Sequence, residues 1–164
     1  MSKKYSIVFA LFIGLLIAGV YLYYQNNPST QIRTEISTVD EKTYDSIGGL
    51  EHVNHPEQEN FKQLLFTFKF SYTDDVEEYH FELDQDFRNL LGDDIYWFGN
   101  QYEFDTPETH EFTHEENIVI YTGEVSNDEI KDLLSKGIVT LSWKENGEEI
   151  VKEYNIGESV VFLK

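Results

Sequence analysis

The clearest signal along the chain is a period-two alternation of apolar and polar residues. In "FKQLLFTFKFSYT" (61–73), Leu64, Phe66, Phe68, Phe70 and Tyr72 fall on one face, while Gln63, Thr67, Lys69 and Ser71 dominate the other. A half-buried strand requires this pattern. Thr73-Asp74-Asp75-Val76 predicts a tight reversal, and "EEYHFEL" (77–83) returns with Tyr79, Phe81 and Leu83 on one face. Matched aromatic faces on successive strands predict a hairpin between them.

Weaker alternation marks a strand at 32–39. It is followed by an irregular stretch, 40–60, broken by Gly48-Gly49 and Pro56 and expected to be an edge strand or a functional loop. "DQDFRNLLG" (84–92) reads as a helical turn with an Asp cap and a Gly stop. "DIYWFGNQYEF" (94–104) and "NIVIYTGEV" (117–125) read as further strands, the second dense in β-branched residues. Between 126 and 137 lies the best helix of this region. Ser126 and Glu129 form a capping box, Ile130, Leu133 and Leu134 make the apolar stripe, and Gly137 ends it. The strands 138–144 and 149–156 flank Glu145-Asn146-Gly147-Glu148, and Asn-Gly is the strongest short hairpin signal. "SVVFL" (159–163) closes the chain with one more apolar run. Seven or eight short, mostly antiparallel strands with two small connecting helices predict an all-β domain. An immunoglobulin-like β-sandwich is expected, with the second helix crossing between sheets, and a small β-barrel is the alternative.

The N-terminal pattern differs. Residues 5–24, "YSIVFALFIGLLIAGVYLYY", carry no charge and are apolar on every face. At ~1.5 Å per residue they are long enough to cross a hydrocarbon core of ~30 Å. Tyr5 stands at one end and Tyr21, Tyr23 and Tyr24 at the other, as expected at lipid–water boundaries. Lys3 and Lys4 precede the run and no basic residue follows before Arg33, so the N-terminus is expected in the cytoplasm and the remainder outside. A cleaved signal peptide is the competing reading, but Ala18-Gly19-Val20 before Tyr21 is a poor cleavage site. The expected organisation is a tip (1–4), a transmembrane anchor (5–24), a polar linker (25–31) and an extracytoplasmic β-domain (32–164).

Composition narrows the function classes. Beyond Tyr24 there are 10 Lys and Arg against 31 Asp and Glu, a net of −21. Such a surface repels phosphate backbones and excludes nucleic acid as a partner, while favouring solubility, cations or a basic partner. There is no cysteine, hence no disulfide, thiolate metal site or thiol nucleophile. The 12 Phe, 11 Tyr and 2 Trp supply enough buried area for a core without cross-links.

Candidate chemistry is sparse. His110-Glu111-Phe112-Thr113-His114 matches H-E-x-x-H, in which two His on one helical face hold zinc and the Glu activates its water. Thr106-Pro107-Glu108 resembles a helix start. Against a helix, Phe112 is the only apolar residue between Thr106 and Asn117. In an extended chain the two His would lie ~13 Å apart. An acidic loop or edge segment pinned by Phe112 is therefore expected at 108–117. His52 and His55 extend the pool of metal-ligating types, although solvated surface His is the ordinary role. The pairs Asp74-Asp75, Asp84/Asp86 and Asp93-Asp94 lack a calcium-loop pattern and read as turn and cap residues. Tyr96, Trp97 and Phe98 are consecutive rings, so at least one must leave the core. It would then contact a ligand or partner, or pack beneath a loop. The five His among many carboxylates raise the expectation of pH-linked association.

No resemblance to a known family emerges. The expectation is a single-pass protein of a bacterial cell envelope whose outer domain binds or senses a protein or envelope partner, with no catalytic set and no cofactor. A metal-dependent hydrolase using His110, Glu111 and His114 is the alternative.

Overall fold

The computed structural model describes residues 27–163 together with Ile13. Apart from Ile13, the anchor expected at 5–24 lies outside the described residues. Among the described residues no helix is long and apolar enough to cross a membrane.

Among the described residues eight strands form two sheets. β1 (Ser29–Thr38), β2 (Phe61–Ser71), β4 (Tyr96–Thr106), β5 (Glu111–Tyr121) and β8 (Val160–Phe162) make a five-stranded sheet in the order β4-β5-β2-β1-β8. β3 (Val76–Leu83), β6 (Ile138–Glu145) and β7 (Glu148–Asn155) make a three-stranded sheet in the order β3-β6-β7. The pairs are antiparallel except β1 with β8, which run parallel. The two sheets share no ladder, so the domain is an open sandwich and not the alternative barrel. Three short helices connect strands: α1 (Glu41–Asp45), α2 (Phe87–Leu91) and α3 (Asn127–Leu134). The last two are the expected pair, and α3 has both halves of its capping box in place.

The main core fills the space between the sheets. Leu64, Phe66, Phe68 and Phe70 of β2 are fully buried, as their alternation requires. They do not, however, form a hairpin with the next strand. β2 and β3 lie in different sheets, and their aromatic faces meet across the core: Phe68 lies 5.0 Å from Phe81 and Phe70 lies 5.7 Å from Tyr79. Two strands that each present large rings bury more area facing one another than lying side by side. The Asn-Gly hairpin does form. Asn146 and Gly147 both have positive φ, 53° and 78°, as the tight turn joining β6 to β7 demands.

A second, smaller core lies on the outer face of the larger sheet. Phe61 is odd-numbered within β2 and points away from the main core, as do Val119 and Tyr121 of β5. Residues 39–60 fold over them with α1 and two 3-10 turns, contributing Val39, Ile47, Tyr44, Leu50 and Val53. This segment is a cap and not an edge strand. Gln58 secures it by donating to the Val39 carbonyl at 2.8 Å, and the Tyr44 hydroxyl donates to the Pro56 carbonyl. The double cover explains why 118–121 reads as a continuous apolar run: it is buried on both faces.

Two boundaries shift from expectation. β1 begins at Ser29, so the last residues of the expected linker already pair with β2, Thr30 opposite Phe70 and Gln31 opposite Lys69. The acidic segment 111–117 is the first part of β5, an internal strand between β4 and β2 and not a loop or edge. Phe112, His114 and Glu116 alternate onto its inner face, which places an imidazole and a carboxylate inside the sandwich mouth.

Candidate functional site

β4 is one edge of the larger sheet, and its two halves differ. At its start Tyr96 faces inward and packs against the main core, with the Arg88 guanidinium 5.0 Å from its ring centre. Trp97 is an extra residue at a break in register between Tyr96 and Phe98, so its indole is free to turn onto the outer face. There it packs edge-on against Phe61 at 5.7 Å and donates Nε1–H to the Gly48 carbonyl at 3.1 Å. The tryptophan is therefore a wedge beneath the 39–60 cap. Phe98 resumes the alternation and is 39% exposed.

Beyond Gly99 the strand has no cover. Gln101, Glu103 and Asp105 lie opposite Glu116, His114 and Phe112 on the inner side, which puts Tyr102 and Phe104 on the outer face. Tyr102 is 48% exposed and Phe104 53%, and their rings stack nearly parallel, 6.3 Å apart with 13° between planes. Attention to three consecutive rings missed this pair. The signal that finds it is the alternation Phe98-x-x-x-Tyr102-x-Phe104 set against Gln101, Glu103 and Asp105: a strand whose apolar face points away from its polar core-facing side.

The inner side of the same stretch is an acid–imidazole–acid arrangement. His114 is 2% exposed, packed on Phe81 at 4.6 Å and edge-on to Phe66 at 6.0 Å. Its Nδ1 lies 3.0 Å from a Glu103 carboxylate oxygen and its Nε2 3.3 Å from one of Glu116. Burial by itself lowers the imidazole pKa. The hydrogen bonds to Glu116 and Glu103, with the charges of both, outweigh burial and hold it above the ordinary value. The protonated ring can donate to both carboxylates, so it ties the edge strand β4 to β5. Further along, Tyr72 donates to Asp105 at 3.2 Å. Burial, and then the charge of Asp105, raise the Tyr72 phenol. A shallow groove of about 280 Å³ opens beside this arrangement, lined by Asp86, Arg88, Tyr96, Gln101 and Glu116 among others.

The H-E-x-x-H residues are not brought together. His110 follows a 3-10 turn (Pro107–Thr109), has a left-handed backbone (φ 51°), and places Nε2 3.1 Å from Asp74. Glu111 points to the outer face and pairs with Lys69 at 3.6 Å, whereas His114 points inward with both ring nitrogens engaged. The two imidazoles do not share a helical face, and each has its own carboxylate partners. Among the described residues no group of three or more His, Asp or Glu is disposed to hold a metal ion. His52 lies on the cap, 3.5 Å from Glu51. Of the acidic pairs, Asp84 accepts from the Ile138 amide at 2.8 Å, Asp86 caps α2, and Asp93 faces Arg88. Comparison with known proteins returns no matching family model and no matching curated protein.

Proposed function

We propose that the chain is a membrane-anchored, extracytoplasmic binding or sensing module of a bacterial cell envelope, without catalytic activity, that engages a protein partner through β4. The observation that carries this reading is the stacked, half-exposed pair Tyr102 and Phe104 on an edge strand. Aromatic rings held on a rigid sheet lose little freedom on binding and are the favoured anchors of protein interfaces. The uncharged run at 5–24, with Lys3 and Lys4 before it, supports the anchor and its orientation. The strand order supports an immunoglobulin-like sandwich of the constant type. β1, β2, β5 and β4 correspond in order to A, B, E and D, β3, β6 and β7 to C, F and G, and β8 is an addition beside the first strand. That architecture commonly displays binding faces rather than catalytic clefts, which is an argument from analogy of fold.

The absence of native cysteine makes a direct test simple. Asn100→Cys, which keeps both rings, in the full chain in its own cells, is expected to react with a membrane-impermeant maleimide on intact cells. Carrying a photo-cross-linking maleimide, it is expected to give a discrete adduct. Val151→Cys, on the exposed face of β7, is the control. No labelling of intact cells would sink the outward orientation, and the same adducts from both positions would sink β4 as the binding face.

A further inference from the structure

The free edge of β4 identifies the kind of partner. β4 has 11 residues, whereas β8 at the other edge of the same sheet has three. Among the described residues no strand lies beyond β4, so its far side offers unpaired backbone groups to an added strand. An added strand also alternates. Half of its side chains would lie beside Tyr102 and Phe104, and the other half beside Glu103 and Asp105. The geometry points to Asn100–Thr106 as the acceptor for an extended segment of a partner protein that alternates basic with apolar residues and joins the sheet as an extra strand.

Charge selects this occupant over a second copy of the chain. Asp105 lies within the stretch, Glu115 opposite Tyr102 and Glu108 in the turn that follows, and none takes part in the Lys and Arg pairs of the described residues, which are Arg33–Glu35, Lys69–Glu111, Arg88–Asp93 and Lys144–Glu78. Another β4 would set Glu103 and Asp105 against their own kind on a molecule of net charge −19. Inward-pointing carboxylates on an edge strand suppress indiscriminate pairing. Here they also define the sign of what is admitted. The bulge at Trp97 limits the acceptor to the stretch after it, because a twisted, capped edge cannot continue the ladder.

This inference rests on the reading of β4 as the partner-binding edge, and its test separates the two. The full chain in detergent micelles is titrated with a synthetic peptide of about ten residues alternating lysine with valine. The same titration is run with a glutamate–valine counterpart and with a lysine–valine peptide N-methylated at alternate residues. The lysine peptide is expected to bind, to shift the amide resonances of 100–106, and to weaken as salt rises. N-methylation removes the backbone donors and is expected to weaken binding by about tenfold or more. Asp105→Asn, which leaves His114 and its partners untouched, is expected to weaken it about threefold to tenfold. Equal binding of the glutamate peptide, indifference to N-methylation, or shifts confined to the other sheet would overturn the proposal. If the lysine peptide fails to bind while Asn100→Cys still cross-links a partner, the basic strand is wrong and the edge stands. If both fail, the reading of β4 fails with it.

Discussion

The first and second halves of β4 share a partner strand, and both are rich in aromatic rings. Only the start of the strand is enclosed. Tyr96 enters the main core and Trp97 is held beneath the 39–60 cap, whereas Tyr102 and Phe104 are left about half exposed. Ring content therefore does not distinguish core from surface in this strand. What distinguishes the halves is whether another segment of chain arrives to form a second layer. The covered half contributes stability, and the bare half leaves apolar area available to a partner.

The largest expected effect lies at the centre of the cover. Phe61 is fully buried and touches Tyr44, Trp97 and Tyr121, so it joins the cap, β4 and β5 at one point. Phe61→Ala is expected to lower the unfolding free energy by about 3–5 kcal/mol, read by urea titration. Amide exchange in 39–60 should accelerate more than in β6 and β7. Uniform acceleration would show that the cap is no separate unit. A smaller loss is expected where the two halves meet. A Cβ on Gly99 would lie 2.9 Å from Ile118 Cγ1 and 3.0 Å from the Asn117 carbonyl oxygen, so β4 approaches β5 too closely for any side chain there. Gly99→Ala is expected to cost about 1–3 kcal/mol in the same titration, and an unchanged midpoint would mean that the strand simply shifts outward.

How much of this was legible in the sequence follows from what periodicity can encode. The alternation in 64–72 located the inner face of β2, and the Asn-Gly turn located the β6–β7 hairpin because that turn fixes backbone geometry locally. The β2–β3 pairing was misjudged because alternation specifies which face is apolar and says nothing about whether the next strand lies beside it or across from it. Phe61 and Trp97 carried no readable label either. Each breaks the alternation of its own strand, Phe61 by parity and Trp97 by a bulge, and each acquires its role from residues distant in sequence. The segment 111–117 looked like an acidic loop because its inward positions hold His114 and Glu116. Carboxylates on two strands satisfy a buried imidazole only once the strands are paired.

His114 gives a subtler way to sharpen the comparison, since it fastens the bare half from beneath. Its imidazole is faced by Glu103 from β4 and Glu116 from its own strand, with Phe66 and Phe81 completing the surroundings. Its pKa is raised above the ordinary 6.5 in the folded chain. Below 6.5 both folded and unfolded chains carry the proton, and the full stabilisation is present. As pH rises from 6.5 through the raised value, only the folded chain keeps the proton, and stability falls until the contribution is lost. The thermal midpoint should therefore decline with rising pH across that window more steeply in the native chain than in His114→Gln. Identical profiles would show that this imidazole does not fasten the edge.

The smallest expected effect on stability is also the one that separates the halves most sharply. Tyr102 and Phe104 are about half exposed and stack on each other, so replacing both with Ser removes only part of the area that a core ring such as Phe61 buries. The double variant is expected to cost about 1–2 kcal/mol, well below Phe61→Ala. It should also lose most of its binding to the lysine–valine peptide. Edge strands with bare rings are an aggregation liability that natural proteins commonly blunt. A loss of stability approaching that of Phe61→Ala would mean that the outer half of β4 is core after all. A loss no larger than that, together with lost binding, would assign the two rings to recognition.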